Sequence, residues 1–186
     1  TDTMEIEAPK EEVINTELVK KTPRTGKIKK TTTNTELGTT EWTLSNGVKV
    51  VIKPTAFKQD EILLNAFSQG GLSLVATEDL PSANLAADVV SMMGLGNLSR
   101  TDLQKALAGK TVSVDASINA YSETMSGSSS VKDLETMLQL IYLQFTAPRY
   151  DEDAYRTLVG LLHNQLLNKD KNPKAVFADS VSVMGS

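Results

Sequence analysis

The sequence predicts an α+β fold in which helices pack on one face of a mostly antiparallel sheet. Three observations lead to this class. The Asn46-Gly47 pair separates two short apolar segments, as the turn of a β-hairpin does. The stretch 111–118 alternates strictly between apolar and polar residues, which is typical of a half-buried strand. Several other segments carry apolar residues at helical spacing, so helices and strands are both expected.

Composition bounds the class of protein. The 186 residues, 40% of them hydrophobic, are enough for one domain with a proper core. A net charge of −4 argues against nucleic acid as the main partner, because phosphate binding needs a basic surface. No run approaches the roughly 20 apolar residues of a membrane-spanning helix, so we expect no membrane span. The absence of cysteine suits reducing and oxidising compartments alike, so it does not determine the location of the protein. A periplasmic or other cell-envelope location and a cytoplasmic one are both open.

The chain divides into two parts by composition. Residues 1–40 combine scattered apolar residues with a basic cluster and the threonine-rich stretch 31-TTTNTELGTT-40, which is typical of an inter-domain linker. Residues 41–186 have regular patterns and form the predicted α+β domain. A helix start at Asn172-Pro173 comes close to the end of the chain, so we expect the domain to lack its C-terminal elements.

The elements of the domain are predicted in the following order. They are a hairpin over 42–54, a buried strand over 61–71, a helix over 81–93, a helix capped by Ser99, an antiparallel ribbon over 111–131, and helices starting after Ser130, at Asp151 and at Asn172-Pro173. The continuous apolar run of 61–71 indicates an interior strand. On the two long later helices the predicted apolar positions are Leu134, Leu138, Ile141, Tyr142 and Phe145, and then Tyr155, Leu158, Leu161, Leu162 and Leu166.

The helix in 81-PSANLAADVVSMMG-94 has good packing residues and no reactive ones. Pro81 suits its first turn, and Gly94 ends it. Asn84 and Asp88 form one polar edge, opposite an apolar stripe at helical spacing. The stripe consists of Ala83, Ala86, Ala87, Val90 and Met93.

Few other residues could carry chemistry. His163 is the only histidine, so a two-histidine zinc site cannot form, and its helical position favours a packed or surface role. The serines of 126-SGSSS-130 lack a nucleophile elbow. The stretch 94-GLGNLS-99 could hold an anion on its amides but lacks the lysine of a phosphate loop. Acidic residues at helix starts are explained by the helix dipole, so no catalytic carboxylate is assigned.

The ordered series of segments resembles a known family. The segments are 42-WTLSNGVKVVIKPT-55, 66-AFSQGGLSLV-75, 81-PSANLAADVVSMMG-94, 103-LQKALAGKTVSV-114 and 148-PRYDEDAYRTLV-159. Together they are similar to the later, non-catalytic half of an insulinase-like (pitrilysin, inverzincin) zinc peptidase. In that family the active half carries His-x-x-Glu-His on the helix after the first strands, with both histidines on zinc and the glutamate activating water.

The resemblance implies what this chain has lost. The motif falls on Asn84-Leu85-Ala86-Ala87-Asp88, so Asn84 and Asp88 take the histidine positions and Ala87 takes the glutamate position. The third zinc ligand would fall near Asn164 or Gln165, neither of which is a carboxylate. We therefore expect no catalytic residue and no metal in this chain. Zinc is expected in a catalytic half, on the same chain or a partner subunit, and this half is expected to close a chamber around a peptide substrate.

Two other hypotheses stay open. The chain could be a structural or assembly subunit of the same fold with no active peptidase partner. A His-x-x-Glu-His motif in the neighbouring sequence would select the peptidase over this alternative. The weaker alternative is an unrelated hydrolase that uses a serine together with His163.

Overall fold

The computed structural model describes residues 17–184, and within this range the chain folds into two antiparallel sheets and five α-helices. The strands are β1 (Ile28–Asn34), β2 (Thr39–Leu44), β3 (Lys49–Ile52), β4 (Ile62–Gln69), β5 (Val112–Ile118) and β6 (Ser122–Ser129). The helices are α1 (Leu80–Met92), α2 (Arg100–Ala106), α3 (Leu134–Thr146), α4 (Glu152–Leu167) and α5 (Pro173–Met184). The α+β class is confirmed, although its strands form the sheets β1-β2-β3 and β4-β6-β5 in place of one.

The predicted hairpin joins β2 to β3 around Asn46-Gly47. The Leu44 amide donates to the Val48 carbonyl at 2.8 Å, and the Gly47 amide donates to the Leu44 carbonyl at 3.0 Å. Gly47 alone of the turn pair takes a positive φ, 89°. Asn46 instead uses its side chain, whose Oδ1 accepts from the Val48 amide at 3.2 Å. The turn therefore depends on one left-handed residue and one side-chain bond.

Strand β1 lies inside the segment whose composition predicts a linker. It pairs antiparallel with β2, with Thr31 opposite Trp42, so residues 28–34 are strand and not irregular connector. Threonine is a good strand former on an exposed surface, which the linker interpretation did not weigh. Leu18 and Val19 also pack against the hydrophobic cluster of the domain. Residues 1–16 lie outside the described residues, and the boundary at residue 40 stays a prediction.

Strand β4 is an edge strand of the second sheet, because β6 lies between β4 and β5. The predicted interior position of 61–71 is therefore wrong within the described residues. Leu63 is 66% exposed and Phe67 is 78% exposed. Both side chains lie on one face of the strand, where nothing covers them among residues 17–184. A continuous apolar run shows that a strand is present, but it does not say which of its faces is packed.

The ribbon of β5 and β6 has the predicted polar and apolar faces. The register places Ser113 opposite Ser128, and Val114 opposite Gly127. Successive side chains point to opposite faces, so Val112, Val114 and Met125 share the face on which the helices α1 and α3 pack. The other face of this sheet is rich in hydroxyl groups and is open among residues 17–184.

Helix α3 packs with a different face from the one predicted. The buried residues are Thr136, Met137, Leu140 and Leu143, whereas the predicted residues Leu138, Tyr142 and Phe145 are exposed. Leu140 and Leu143 meet Leu95 in the central hydrophobic cluster. Helix α3 carries two apolar stripes, and periodicity alone cannot tell which of them faces the sheet. On α4 only Leu158 of the predicted face is buried, and Tyr155, Leu161 and Leu166 are exposed.

The sequence predicts serine caps for α2 and α3, and only that of α2 is found. The predicted cap of α2 is confirmed, because Ser99 Oγ accepts from the Asp102 amide at 3.2 Å. Ser130 precedes a 3₁₀ turn, Val131–Asp133, and does not cap α3. Its Oγ donates to Asp133 Oδ2 at 2.7 Å, and the Thr111 amide donates to the same oxygen at 2.9 Å. These two bonds hold the pKa of the buried Asp133 carboxyl below its usual value.

We predict that Asp133 makes folding sensitive to acid. Because its pKa is lowered in the folded state, its contribution is present above the ordinary value of 3.8 and is lost as the pH falls through the folded value. Asp133→Asn should therefore destabilise the chain at neutral pH, and the difference from the native chain should shrink as the pH falls below 3.8. Urea unfolding at several pH values measures this. Asp115→Asn, on the open sheet face, is the control, and a constant difference for Asp133→Asn would contradict the prediction.

Substitutions on α3 test which face is packed. Met137 is fully buried, at 0% exposure, so Met137→Ala should lower the free energy of unfolding by about 2–5 kcal/mol. Leu138 lies on the exposed side, so Leu138→Ala should cost less than about 1 kcal/mol. Urea unfolding of the two variants gives both numbers. If Leu138→Ala lowered the free energy of unfolding more than Met137→Ala does, the packed face would be the one predicted from the sequence.

Candidate functional site

Helix α1 is held at both ends by local structure. A 3₁₀ turn, Thr77–Asp79, leads into it, and Pro81 occupies its first turn, where a missing amide hydrogen is harmless. Gly94 follows its C-terminus with φ 85°, and a side chain there would collide with the backbone of 98–100. The helix therefore begins and ends at determined positions, which fixes the direction of its polar edge.

Asn84, Ala87 and Asp88, which the resemblance places at the family's motif positions, all lie on α1. Asn84 and Asp88 are one turn apart and exposed, and Ala87 is half-buried. Asn84 Nδ2 donates to the Leu80 carbonyl at 2.8 Å, so this amide is bound to its own helix. The Asp88 carboxylate has no hydrogen-bonding or charged partner within residues 17–184. Only Asp88 of this pair therefore offers a free polar group to a ligand.

Helices α1 and α4 enclose a groove of about 250 Å³. Asp88 and Gln165 both line it, whereas Asn84 and Asn164 do not. Of the residues that the resemblance singles out as ligand positions, the groove therefore brings together only Asp88 and Gln165. The α1–α4 arrangement is held by the loops that flank it, because the Gly96 amide donates to the Ala147 carbonyl at 2.9 Å.

The groove does not fit a zinc ion. Zinc in proteins takes imidazole, thiolate or carboxylate ligands, and Asp88 is the only such group in the lining. No group of three or more His, Asp or Glu residues is arranged to hold a metal in the part of the chain that the structure describes. The methyl group of Ala87 cannot act as a general base. The residues that line the groove therefore do not supply the donor set that zinc needs.

The other candidate residues lie apart from this groove. His163 is exposed on α4, and in the range 17–184 it has no hydrogen bond to a serine. Ser128 Oγ lies 3.0 Å from Ser113 Oγ, so this hydroxyl pairs within the sheet. In 94-GLGNLS-99 the Leu95 and Leu98 amides donate to each other's carbonyls. These contacts leave the serine-and-histidine hydrolase and the anion site without support.

The groove walls are the feature that the sequence did not reveal. Leu158, Leu161 and Leu162 of α4 face Leu85 and Met92 of α1 across it. Sequence periodicity assigned the α4 leucines to a packed core face, yet Leu161 is 55% exposed. The leucine spacing places these residues on one side of α4, but it cannot show that the two helices stop short of full contact.

We predict that histidines restored on α1 will bind zinc. Asn84→His together with Asp88→His places two imidazoles one turn apart on an exposed edge, where they can share one ion. Adding Gln165→Glu should tighten binding at least about tenfold, because residue 165 lines the groove together with residue 88, whereas residue 164 does not. Titration calorimetry with zinc chloride measures both effects.

Two controls accompany these zinc-binding variants. Ser82→His with Asp88→His places the imidazoles on different faces of α1 and should not bind tightly. Asn164→Glu, added to the first pair, should have little effect. Tighter binding with Asn164→Glu than with Gln165→Glu would contradict the observed rotation of α4.

The chain is similar in sequence and in fold to known proteins. No protein-family model matches the chain. A protein of Arabidopsis thaliana named zinc protease PQQL-like is 30% identical over 172 residues, covering 92% of this chain and 16% of that protein. The periplasmic protease PqqL from Escherichia coli has the same fold, with a TM-score of 0.73 at 24% identity over 88% of this chain and 18% of that one. The ferredoxin protease FusC, solved as a variant in complex with Arabidopsis ferredoxin, also has a TM-score of 0.73, at 26% identity over 86% of this chain and 18% of its own.

The chain spans less than one fifth of the length of each of these proteins, 16% of the first and 18% of the other two. The matches nevertheless cover most of this chain, and they include both strands and helices. By sequence and by fold, the chain is therefore related to the PqqL-like zinc proteases of the insulinase-like family.

Proposed function

We propose that this chain is a non-catalytic domain of a zinc-dependent metallopeptidase. It closes a chamber around a peptide substrate while another domain carries the zinc and performs hydrolysis. The observation that carries the proposal is the groove between α1 and α4, the helices to which the resemblance assigns the metal site, because its lining in the described residues lacks a set of metal ligands. Its partners are a catalytic half, on the same polypeptide or on another subunit, and the peptide itself.

The sheet β4-β6-β5 supports a role in contacting peptide. Its open face combines many hydroxyl groups with the exposed Leu63 and Phe67. Among residues 17–184, no strand pairs with the outer edge of β4, so its backbone groups can accept an extended peptide. Enclosure of this kind needs shape and backbone hydrogen bonds more than titrating groups, which suits a chain without a reactive cluster.

The relatives supply the wider setting of the proposal. FusC was solved with a ferredoxin, so a protein or an unfolded segment of one is a reasonable substrate class for the parent of this chain. PqqL of Escherichia coli is described as periplasmic, and we extend that location to this chain as part of the proposal. No helix in the described part of the chain is long and apolar enough to cross a membrane.

An assembly subunit with no active partner is the second candidate. The exposed apolar side chains of α3, Leu138, Tyr142 and Phe145, favour it because such a stripe is typical of a protein interface. A peptidase domain also needs interfaces with its other domains. Association alone therefore does not separate the two functions, and an activity measurement is required.

Metal and cleavage assays test the proposed function. The pure chain should hold no stoichiometric zinc and should show no chelator-sensitive cleavage, because the ligand and base positions are Asn84, Asp88 and Ala87. Mixed with a catalytic half that carries His-x-x-Glu-His, it should raise kcat/KM for a peptide at least about tenfold over that half alone.

Three outcomes would contradict the proposal. One tightly bound zinc per chain, or chelator-sensitive cleavage by the chain alone, would make this domain catalytic. A stable complex with the catalytic half whose kcat/KM equals that of the catalytic half alone would favour the assembly subunit.

A further inference from the structure

We propose that the groove between α1 and α4 is a binding site for one large apolar side chain of an extended peptide that carries a basic residue beside it. The inference rests on the proposed function and assigns a binding role to the position from which the metal ligands are missing. Within residues 17–184 the groove is lined by α1 and α4 alone and opens to the surface, so a ligand can enter it.

The lining of the groove selects an apolar occupant. Six of its nine residues are apolar: Leu85, Val89, Met92, Leu158, Leu161 and Leu162. An apolar cavity of about 150 Å³ can hold a benzene molecule, so the 250 Å³ of this groove has room for a leucine or phenylalanine side chain.

The walls of the groove are partly exposed and gain from being covered. Leu158 forms the floor at 9% exposure, whereas Leu85 and Leu161 on the rim are 41% and 55% exposed. A side chain that enters between the rim residues removes apolar surface of both partners from water. Since the floor already exists in the structure, the ligand need not open the helix pair.

The polar groups of the rim select the neighbouring residue of the peptide. Asp88 brings one carboxylate, which has no partner within residues 17–184, and the lining contains no basic side chain. The Ser91 hydroxyl donates to the Asp88 carbonyl at 2.8 Å and is occupied on its own helix. Gln165 can both donate and accept, as a peptide backbone requires. A lysine or arginine next to the apolar side chain complements this rim.

Methyl NMR of the 186-residue chain tests the site directly. The probe is an N-acetylated peptide, Gly-Ser-Leu-Lys-Ser-Gly, titrated against methyl-labelled methionine and leucine. The methyl signals of Met92 and Leu158 should shift and saturate. Replacing the peptide leucine by alanine should weaken binding about tenfold or more. Replacing its lysine by glutamine should weaken binding about two- to fivefold, and Asp88→Asn should abolish that difference.

Matched variants separate the groove from the rest of the surface. Ser91→Tyr fills the groove and should abolish the shifts, whereas Ser82→Tyr, on the same helix but outside the groove, should leave them unchanged. Leu161→Ser removes a rim side chain and should weaken binding about tenfold. It provides a second test if Ser91→Tyr disturbs the spectrum of the free chain.

The following results would overturn the site. The first is equal binding of the leucine and alanine peptides, and the second is unchanged shifts in Ser91→Tyr and Leu161→Ser. The third is a set of shifts that depend on the concentration of the chain without peptide, because these would indicate a second copy in the groove. A chain that fails this titration but still raises cleavage with its catalytic half would keep the proposed function and lose only the groove. A chain that binds the peptide without raising cleavage would keep the groove and lose the proposed function.

Discussion

The contact between Met137 and Gly127 determines much of the structure. Gly127 lies in the central strand β6, where a side chain would come within 3.0 Å of Met137 Sδ. Met137 is fully buried and packs where Gly127 has no side chain, and this contact fixes the rotation of α3 on the sheet. Leu140 and Leu143 then meet Leu95 after α1. Bridges between 95–96 and 147–148 set the start of α4 beside the end of α1, which creates the groove.

These contacts explain how the groove can keep its shape without metal ligands. The helix pair is held by packing on the sheet and by the loops that flank it, and neither the central hydrophobic cluster nor the loop hydrogen bonds of residues 17–184 include Asn84, Ala87 or Asp88. A zinc ion contributes to the folding of a site only where its ligands are present. The same scaffold can therefore present a metal in one half of a peptidase and an apolar groove in another, which is the division of labour we propose.

Local signals in the sequence predicted the parts of the fold that depend on local contacts. The Asn46-Gly47 hairpin, the β5–β6 ribbon, α1 and the Ser99 cap each depend on residues close in sequence, and the structure shows all of them. The edge position of β4 and the buried face of α3 depend on pairing across the chain, so apolar patterning could not decide them. At the groove, Asn164 and Gln165 differ by a rotation of about 100° on α4, and only the packed helix pair shows that Gln165 is the one that lines it.

The central claim is that the peptidase chamber has its metal elsewhere and that this chain closes it. The most direct measurement is a crystal structure of the complete peptidase that carries this chain, with a peptide bound and data collected at the zinc absorption edge. The account predicts one anomalous zinc peak at a His-x-x-Glu-His motif in another domain, and peptide density that reaches the residues between α1 and α4. An anomalous zinc peak beside Asp88 would contradict it.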